Sequence, residues 1–557
     1  MKVFVIVVAL LICPTWLWAQ QGDRREPATS VFPTGYLDHA ALSATLKHAA
    51  AEHPAAVRLS SLAKTAEGRD VWLATLGRPP AKGDLPRPAI LIVANLEADH
   101  LVGSQVALQL IQRISSADGH DPDLTALLDR RTIYIVPRLN PDGAERLLTS
   151  PMLDLRTNLR PVDRDRDGKS GEDGPDDLDG DGVIVRMRVK DGKADMVPDS
   201  KDPRLLRKAD PARGERALVS EYAEGTDQDH DGLFNEDPPG GVNLNRNWPH
   251  AWTEFDPEAG FSPASEPEVY GLIGFAFEHP EIAAVWSFSI NDNLRTEPKK
   301  PATTLNDADL PLFADLVRLY AKSQGPGPKP TSSPGLAGMT DGALSEWAYH
   351  QFGVVGLASR LWAGPEFPAT PPGQASPPAD GEARWLFWND HVMSGYAFVP
   401  FHPVNHPTLD LVEIGGWRPG VRLNPPIERV SSITEAQLSF LQGLAARLPA
   451  LSIPEVKIEP KGGGLFAITA VVANDGYLPT ALAQGVRTRK APPVFVQLRV
   501  GEAKILTGKA RNRINTLAGS GGRHEFHWLI SAPETVRSIV LDVFTAKAGR
   551  VIKTLAL

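Results

Sequence analysis

AILIVANLEADHLVGSQVALQLIQRI (Ala89–Ile114) is the stretch on which the fold turns. Its opening AILIVANL is a short apolar run of the kind found in strands buried on both faces. LVGSQVALQLIQRI (Leu101–Ile114) then spaces its apolar residues as a helix does. TIYIVPRLN (Thr132–Asn140) and AAVWSFSIN (Ala283–Asn291) are two further buried-strand runs, and Gly35–His53 reads as a lead-in helix. Strands alternating with helices predict a largely parallel or mixed sheet with helices on both faces.

Around this core the chain divides. At 557 residues it is too long for a single core, and two or three domains are expected. The formal charge of −9 is modest, and no basic block stands out, which argues against a nucleic-acid partner. Lys2, the apolar run Val3–Cys13 and the small Ala19 before Gln20 and Gln21 read as an export signal over residues 1–19. The run is short for a membrane span. The expected location is periplasmic or secreted, with no transmembrane segment after cleavage. Cys13 is the only cysteine and lies in that signal, so disulfides and Cys-ligated zinc are excluded from the mature chain.

Residues 30–450 are expected to form the main domain, interrupted by an acidic, Gly-rich stretch (160–240) that does not look like core. Pro365–Glu382 is a Pro-rich surface loop. Past Leu451 the pattern changes to short β-rich runs such as PPVFVQLRV and VRSIVLDVFTA, separated by Gly, Asn and Pro turns. That is the signature of a β-sandwich, expected over residues 455–557.

Five motifs follow one another along the main domain: NPDG (Asn140–Gly143), GGVNLNRNWP (Gly240–Pro249), SEPE (Ser265–Glu268), GALSEWAYHQFGVVGLASRLW (Gly342–Trp362) and HPTLDLVEIGGW (His406–Trp417). In this order they resemble the zinc carboxypeptidase (M14, carboxypeptidase A-like) family. The resemblance implies a doubly wound α/β/α domain around a twisted mixed sheet, in agreement with the periodicity. It also implies zinc, held by an H-x-x-E pair after the first strand and a histidine after a later one. A glutamate ending a further strand would act as general base, and an Asn-Arg pair would hold the substrate carboxylate.

Carried onto this chain, the metal positions fall on Glu97, His100 and Asn291, the first two in reversed order. Neutral Asn is a poor zinc ligand. The general-base position falls on Arg360, whose guanidinium has no acceptor lone pair; loss of a general base alone costs about 10²–10⁴-fold in rate. Asn245 and Arg246 match the carboxylate-binding pair. A bidentate Arg–carboxylate contact and a buried ion pair are equally natural roles for such an arginine. Glu97 and His100 as a hydrogen-bonded couple, or as a weak metal pair, are the corresponding alternatives. Glu346 is the nearest carboxylate in sequence to serve as a replacement base.

DRDRDG, DLDGDG and DQDHDG repeat D-x-D-x-D-G and supply Asp163, Asp165, Asp167, Asp177, Asp179, Asp181, Asp227, Asp229 and Asp231. Alternating carboxylates on a tight loop suit Ca²⁺ in a structural role.

The expected function is that of an exported carboxypeptidase-like protein that has lost its chemistry and binds peptide C-termini or other anionic ligands. One alternative is an active metallocarboxypeptidase with an atypical zinc site. The other is a non-catalytic protein that docks to a surface or partner through its C-terminal domain.

Overall fold

The computed structural model describes residues 32–163, 168–190, 194–230, 232, 234–235, 238, 240–300, 303–325, 341–362, 364–365, 367, 376–379 and 381–557. The export signal of residues 1–19, with Cys13, lies outside them. In chain order the strands before residue 450 are β1 (Val57–Lys64), β2 (Asp70–Leu76), β3 (Ala89–Ala94), β4 (Thr132–Val136), β5 (Arg186–Val189), β6 (Met196–Pro198), β7 (Leu206–Lys208), β8 (Ser220–Ala223), β9 (Ile282–Phe288), β10 (Val355–Ser359), β11 (Phe398–His406) and β12 (Asp410–Trp417). Six of them form one sheet in the order β1-β2-β4-β3-β9-β10. β4, β3, β9 and β10 run parallel, whereas β2 and β1 are antiparallel to their neighbours.

The helices are α1 (His39–Glu52), α2 (Leu101–Ser116), α3 (Pro122–Arg130), α4 (Pro141–Leu148), α5 (Pro267–Glu278), α6 (Leu310–Ser323), α7 (Leu344–Trp347), α8 (Gly381–His391) and α9 (Val430–Arg447). Successive side chains of a strand point to opposite faces, so a strand buried on both sides feeds two cores. β3 does this: Ile90, Ile92 and Ala94 pack with residues of α1, α2, α3, α6 and α9. Ala89, Leu91 and Val93 pack on the opposite face with residues of α5 and α7. The result is a mixed sheet between two helical layers, as the apolar runs predict.

β3 ends at Asn95, which adopts the left-handed conformation (φ 58°) that Asn tolerates better than most residues. Its amide donates to the carbonyl oxygens of Glu97 and Ala98, both at 3.0 Å, and holds the turn that delivers His100 to the start of α2.

The acidic interruption departs from expectation, because it contributes core. VIVRMRV (Val183–Val189) alternates apolar and polar residues. β5 pairs with β8 and β12, and β12 with β11, in a separate four-stranded sheet. Val185, Met187 and Val189 are buried there with Val399, Val412 and Ile414. Flanked by Asp-rich loops, this run carries only a short period-2 signal.

Beyond α9 the chain forms β13 (Leu451–Gly462), β14 (Leu465–Asn474), α10 (Ala483–Arg487), β15 (Val494–Arg499), β16 (Lys504–Thr507), β17 (Arg511–Ile514), β18 (Gly522–Ser531), β19 (Ser538–Thr545) and β20 (Gly549–Ala556). Two antiparallel four-stranded sheets, β13-β14-β18-β16 and β17-β15-β19-β20, bury residues in one common cluster that includes Ile468, Val496, Trp528 and Leu541. Among the described residues no helix is long and apolar enough to cross a membrane.

Polar contacts join this C-terminal unit to the main domain. Asp309 accepts from the backbone N–H groups of Ala483 and Gln484 and from the Tyr349 hydroxyl. The Lys547 ammonium is buried and donates to the Ile282 carbonyl at 2.7 Å, at the start of β9. Burial pushes Lys547 down to about 7, with Glu281 opposing the shift. The unfolded chain therefore holds this proton between about pH 7 and the ordinary lysine value of ~10.4, while the folded chain does not. Stability must then rise with pH across that window. Lys547→Met removes the contribution. Urea unfolding of both proteins at about pH 7 and about pH 9 is expected to show the wild type gaining about 2 kcal/mol relative to the variant at the higher pH. Parallel behaviour of the two would refute the assignment.

Candidate functional site

The C-terminal ends of β3, β9 and β10 lie side by side and carry Glu97 with His100, Asn291 and Arg360 respectively. Contacts between the three turns draw them into one place. The His100 Nε2 lies 3.4 Å from the Arg360 carbonyl oxygen. The Arg360 N–H donates to Asp292 Oδ2 at 3.1 Å. The Ile290 N–H donates to Glu97 Oε2 at 3.3 Å. The four positions that the resemblance singled out are therefore brought together.

Glu97 is buried, and its other oxygen, Oε1, accepts from Asn245 Nδ2 at 2.8 Å. Asn245 Oδ1 accepts in turn from the Leu344 N–H at 3.1 Å, at the start of α7. Both ends of the Asn245 amide are thus engaged within the protein. Arg246, the second half of the pair, is ion-paired with Asp256, and both side chains are largely buried. In this arrangement the Asn-Arg segment works as internal scaffolding.

The charge at the strand ends is unusual for a metallopeptidase. Burial pushes the Arg360 guanidinium down to about 10, and the cations Arg295, Arg422 and Arg156 add to that shift while Asp292 opposes it. Burial also raises the carboxyls of Glu97, Asp99 and Asp154, with nearby arginines opposing. His100 is pushed down to about 4, again mainly by burial, so its imidazole is neutral at ordinary pH. Three of these arginines are ion-paired, Arg156 with Asp99, Arg295 with Asp292 and Arg422 with Glu382. Arg156 was missed by the sequence reading. It sits between NPDG and the Asp loops and reaches Asp99 Oδ2 at 3.3 Å.

A second group was also missed. His250, Glu346 and His350 place one potential ligand atom each within 4.8 Å of one another. Its only sequence signal was the four-residue spacing of Glu346 and His350 within one motif. Glu346 is turned towards His350, with Oε2 at 3.4 Å from Nε2. Asp177, Asp179 and Asp181 form the other such group among the described residues. Their oxygens accept from nearby backbone N–H groups, including those of Gly180, Asp181 and Gly182. Asp163 and Asp227 accept from Gly168 and Gly232 in the same manner. Asp229 belongs to the third of these loops, and Asp165, Asp167 and Asp231 lie outside the described residues.

A mixed sheet between helical layers, with polar side chains gathered at the ends of its parallel strands, defines an α/β protein. Residues 42–183 match the zinc carboxypeptidase (M14) family model, so this part of the chain is carboxypeptidase-like. The match includes Glu97, His100 and Arg156 and ends before Asn245, Asn291 and Arg360. Residues 450–556 match the model of a domain of unknown function, DUF8731. The zinc carboxypeptidase of Saccharothrix mutabilis subsp. capreolus is 33% identical over 25% of this chain and 33% of its own length. Mouse carboxypeptidase M is 32% identical over 21% of this chain and 27% of its own. The chain therefore matches a third or less of these relatives. A metallo-carboxypeptidase structure from Burkholderia cenocepacia overlaps 72% of this chain and 67% of its own at 14% identity, with a TM-score of 0.33. An overlap that loose adds nothing to the assignment, which rests on the sequence matches.

Likeness to this family implies zinc. The residues at the strand ends do not fit it. Zinc at such a site needs about three protein donors of nitrogen or anionic oxygen. Here Glu97 is committed to Asn245 and Ile290, Asn291 is neutral, and Glu97 and His100 belong to no group of three donors among the described residues. Arg360 adds a positive charge where a cation would sit.

The scaffolding role of Arg246 predicts a stability effect. Asp256→Ala leaves a buried guanidinium without its counter-charge and is expected to cost about 3 kcal/mol. Chemical denaturation measures this, and an unchanged midpoint would refute the role.

Proposed function

We propose that this chain is an exported carboxypeptidase-like protein that has lost peptidase chemistry and binds an anionic group, such as a peptide C-terminal carboxylate, at the ends of β3, β9 and β10. The observation that carries the reading is Arg360, held by its backbone against Asp292 and accompanied by Arg156, Arg295 and Arg422. A general base must accept a proton, and a guanidinium does not. A group of guanidiniums instead attracts anions and supplies forked donors for them.

The carboxylate anchor differs from the one the resemblance implies. Asn245 and Arg246 are engaged with Glu97, Leu344 and Asp256, so the binding role passes to Arg360. In this reading the Asp loops are structural, bordering the cleft where calcium can order them, and the C-terminal unit is a β-sandwich that braces the main domain.

The test uses the purified full chain with two short peptides, one ending in a free carboxylate and the other in a carboxamide. Titration calorimetry is expected to detect the carboxylate peptide alone, with Arg360→Gln weakening it about tenfold or more. No peptide turnover is expected with added Zn²⁺. Turnover that disappears in Glu97→Gln, or equal binding of both peptides, would overturn the proposal.

A further inference from the structure

We propose that His250, Glu346 and His350 form a binding site for a divalent transition metal, zinc above all, separate from the strand-end position at which the family holds its metal. The inference does not depend on the proposed function, since it concerns other residues.

The donor set is the first argument. Two imidazoles and one carboxylate are a common combination for zinc and leave a fourth position for water. Imidazole with carboxylate suits first-row divalent ions better than Ca²⁺ or Mg²⁺, which take oxygen ligands.

Geometry is the second. Glu346 and His350 stand four residues apart on α7 and its continuation Ala348–Phe352, so they share a face. Their facing atoms are 3.4 Å apart, longer than an ordinary hydrogen bond. Two ligands on a tetrahedral zinc with bonds of about 2.1 Å are separated by about 3.4 Å. The His250 and His350 rings are stacked with centroids 4.1 Å apart. Stacked rings do not aim their lone pairs at one point, so binding requires the His250 side chain to turn, from a position where the three ligand atoms already lie within 4.8 Å of one another. The Thr304 hydroxyl, 2.9 Å from His350 Nε2, is the group a metal displaces.

The third argument is that the frame is fixed beforehand. The Trp248 N–H donates to the Gly342 carbonyl and the Gly342 N–H to the His250 carbonyl, both at 3.0 Å. Gly342 is required there: its φ is 70°, and a Cβ would lie 2.2 Å from the Arg246 carbonyl oxygen. The segment carrying His250 is thereby tied to the start of the helix carrying Glu346. The far side is gripped by the C-terminal unit, where Gln484 Nε2 donates to the His350 carbonyl at 2.9 Å. The backbone that carries the three donors is thus held before a metal arrives, which favours affinity.

The experiment is titration of the chelator-treated full chain with Zn²⁺ by calorimetry, with Co²⁺ absorption as a second readout of coordination. Saturable binding of a single Zn²⁺ is expected. It should vanish in His250→Ala and in His350→Ala and weaken in Glu346→Gln, a shape-preserving change that keeps the result readable if either alanine variant misfolds. It should persist in Glu97→Gln. Absence of saturable binding to the wild-type chain, or binding unaffected by all three substitutions, overturns the assignment. Binding weakened by Glu97→Gln alone places zinc at the strand ends and overturns it as well.

Discussion

A buried carboxylate has to be satisfied by the protein or it cannot stay buried as an anion, and Glu97 is where this constraint organises the domain. One of its oxygens takes the amide of Asn245 and the other the backbone N–H of Ile290. Asn245 passes the connection to the N–H of Leu344, which opens the helix leading to β10. Four segments far apart in sequence are thereby joined through two side chains. Removing either would leave buried polar groups without partners at a cost of about 1–3 kcal/mol each, more if charged.

The same network explains why the strand ends have the chemistry they have. A glutamate bound on both oxygens by neutral donors is a structural residue, and it leaves little donor capacity for a metal. Asp292 opposes the burial and the neighbouring cations that disfavour a charged arginine at the end of β10. Asp292 and Asp99 hold two members of the resulting arginine group in place, Asp292 through Arg295 and Asp99 through Arg156. Arg246 is tied to Asp256 and Asn245 to Glu97, so residues of carboxylate-binding type serve as framework.

The C-terminal unit takes part in this framework. Asp309 and Gln484 link it to the turn of helix that follows α7, and Lys547 links it to the start of β9. Both elements lead directly to the strand ends. The burial of a lysine and an aspartate at the junction is unfavourable for charges unless each finds partners, which gives the docking a defined geometry.

Much of this was legible in the sequence. The apolar run Ala89–Leu96, the helical spacing of Leu101–Ile114 and the β-rich pattern past Leu451 determine which segments are strands and helices, because burial on two faces, on one stripe or on one side leaves different periods. Residue chemistry alone also decides that Arg360 cannot serve as a base and that Asn291 is a poor zinc ligand. What the sequence did not decide is who meets whom. Asn245 and Arg246 look like a ligand-binding pair until folding supplies Glu97 and Asp256 as their partners. His250 and His350 are a hundred residues apart, and only the backbone lock at Gly342 puts them ring against ring. The strand hidden between the Asp loops has a period of two over a few residues, too weak a signal until β12 pairs with it. Periodicity records how a segment faces the core, whereas site chemistry depends on contacts between distant segments, and those exist only in the folded chain.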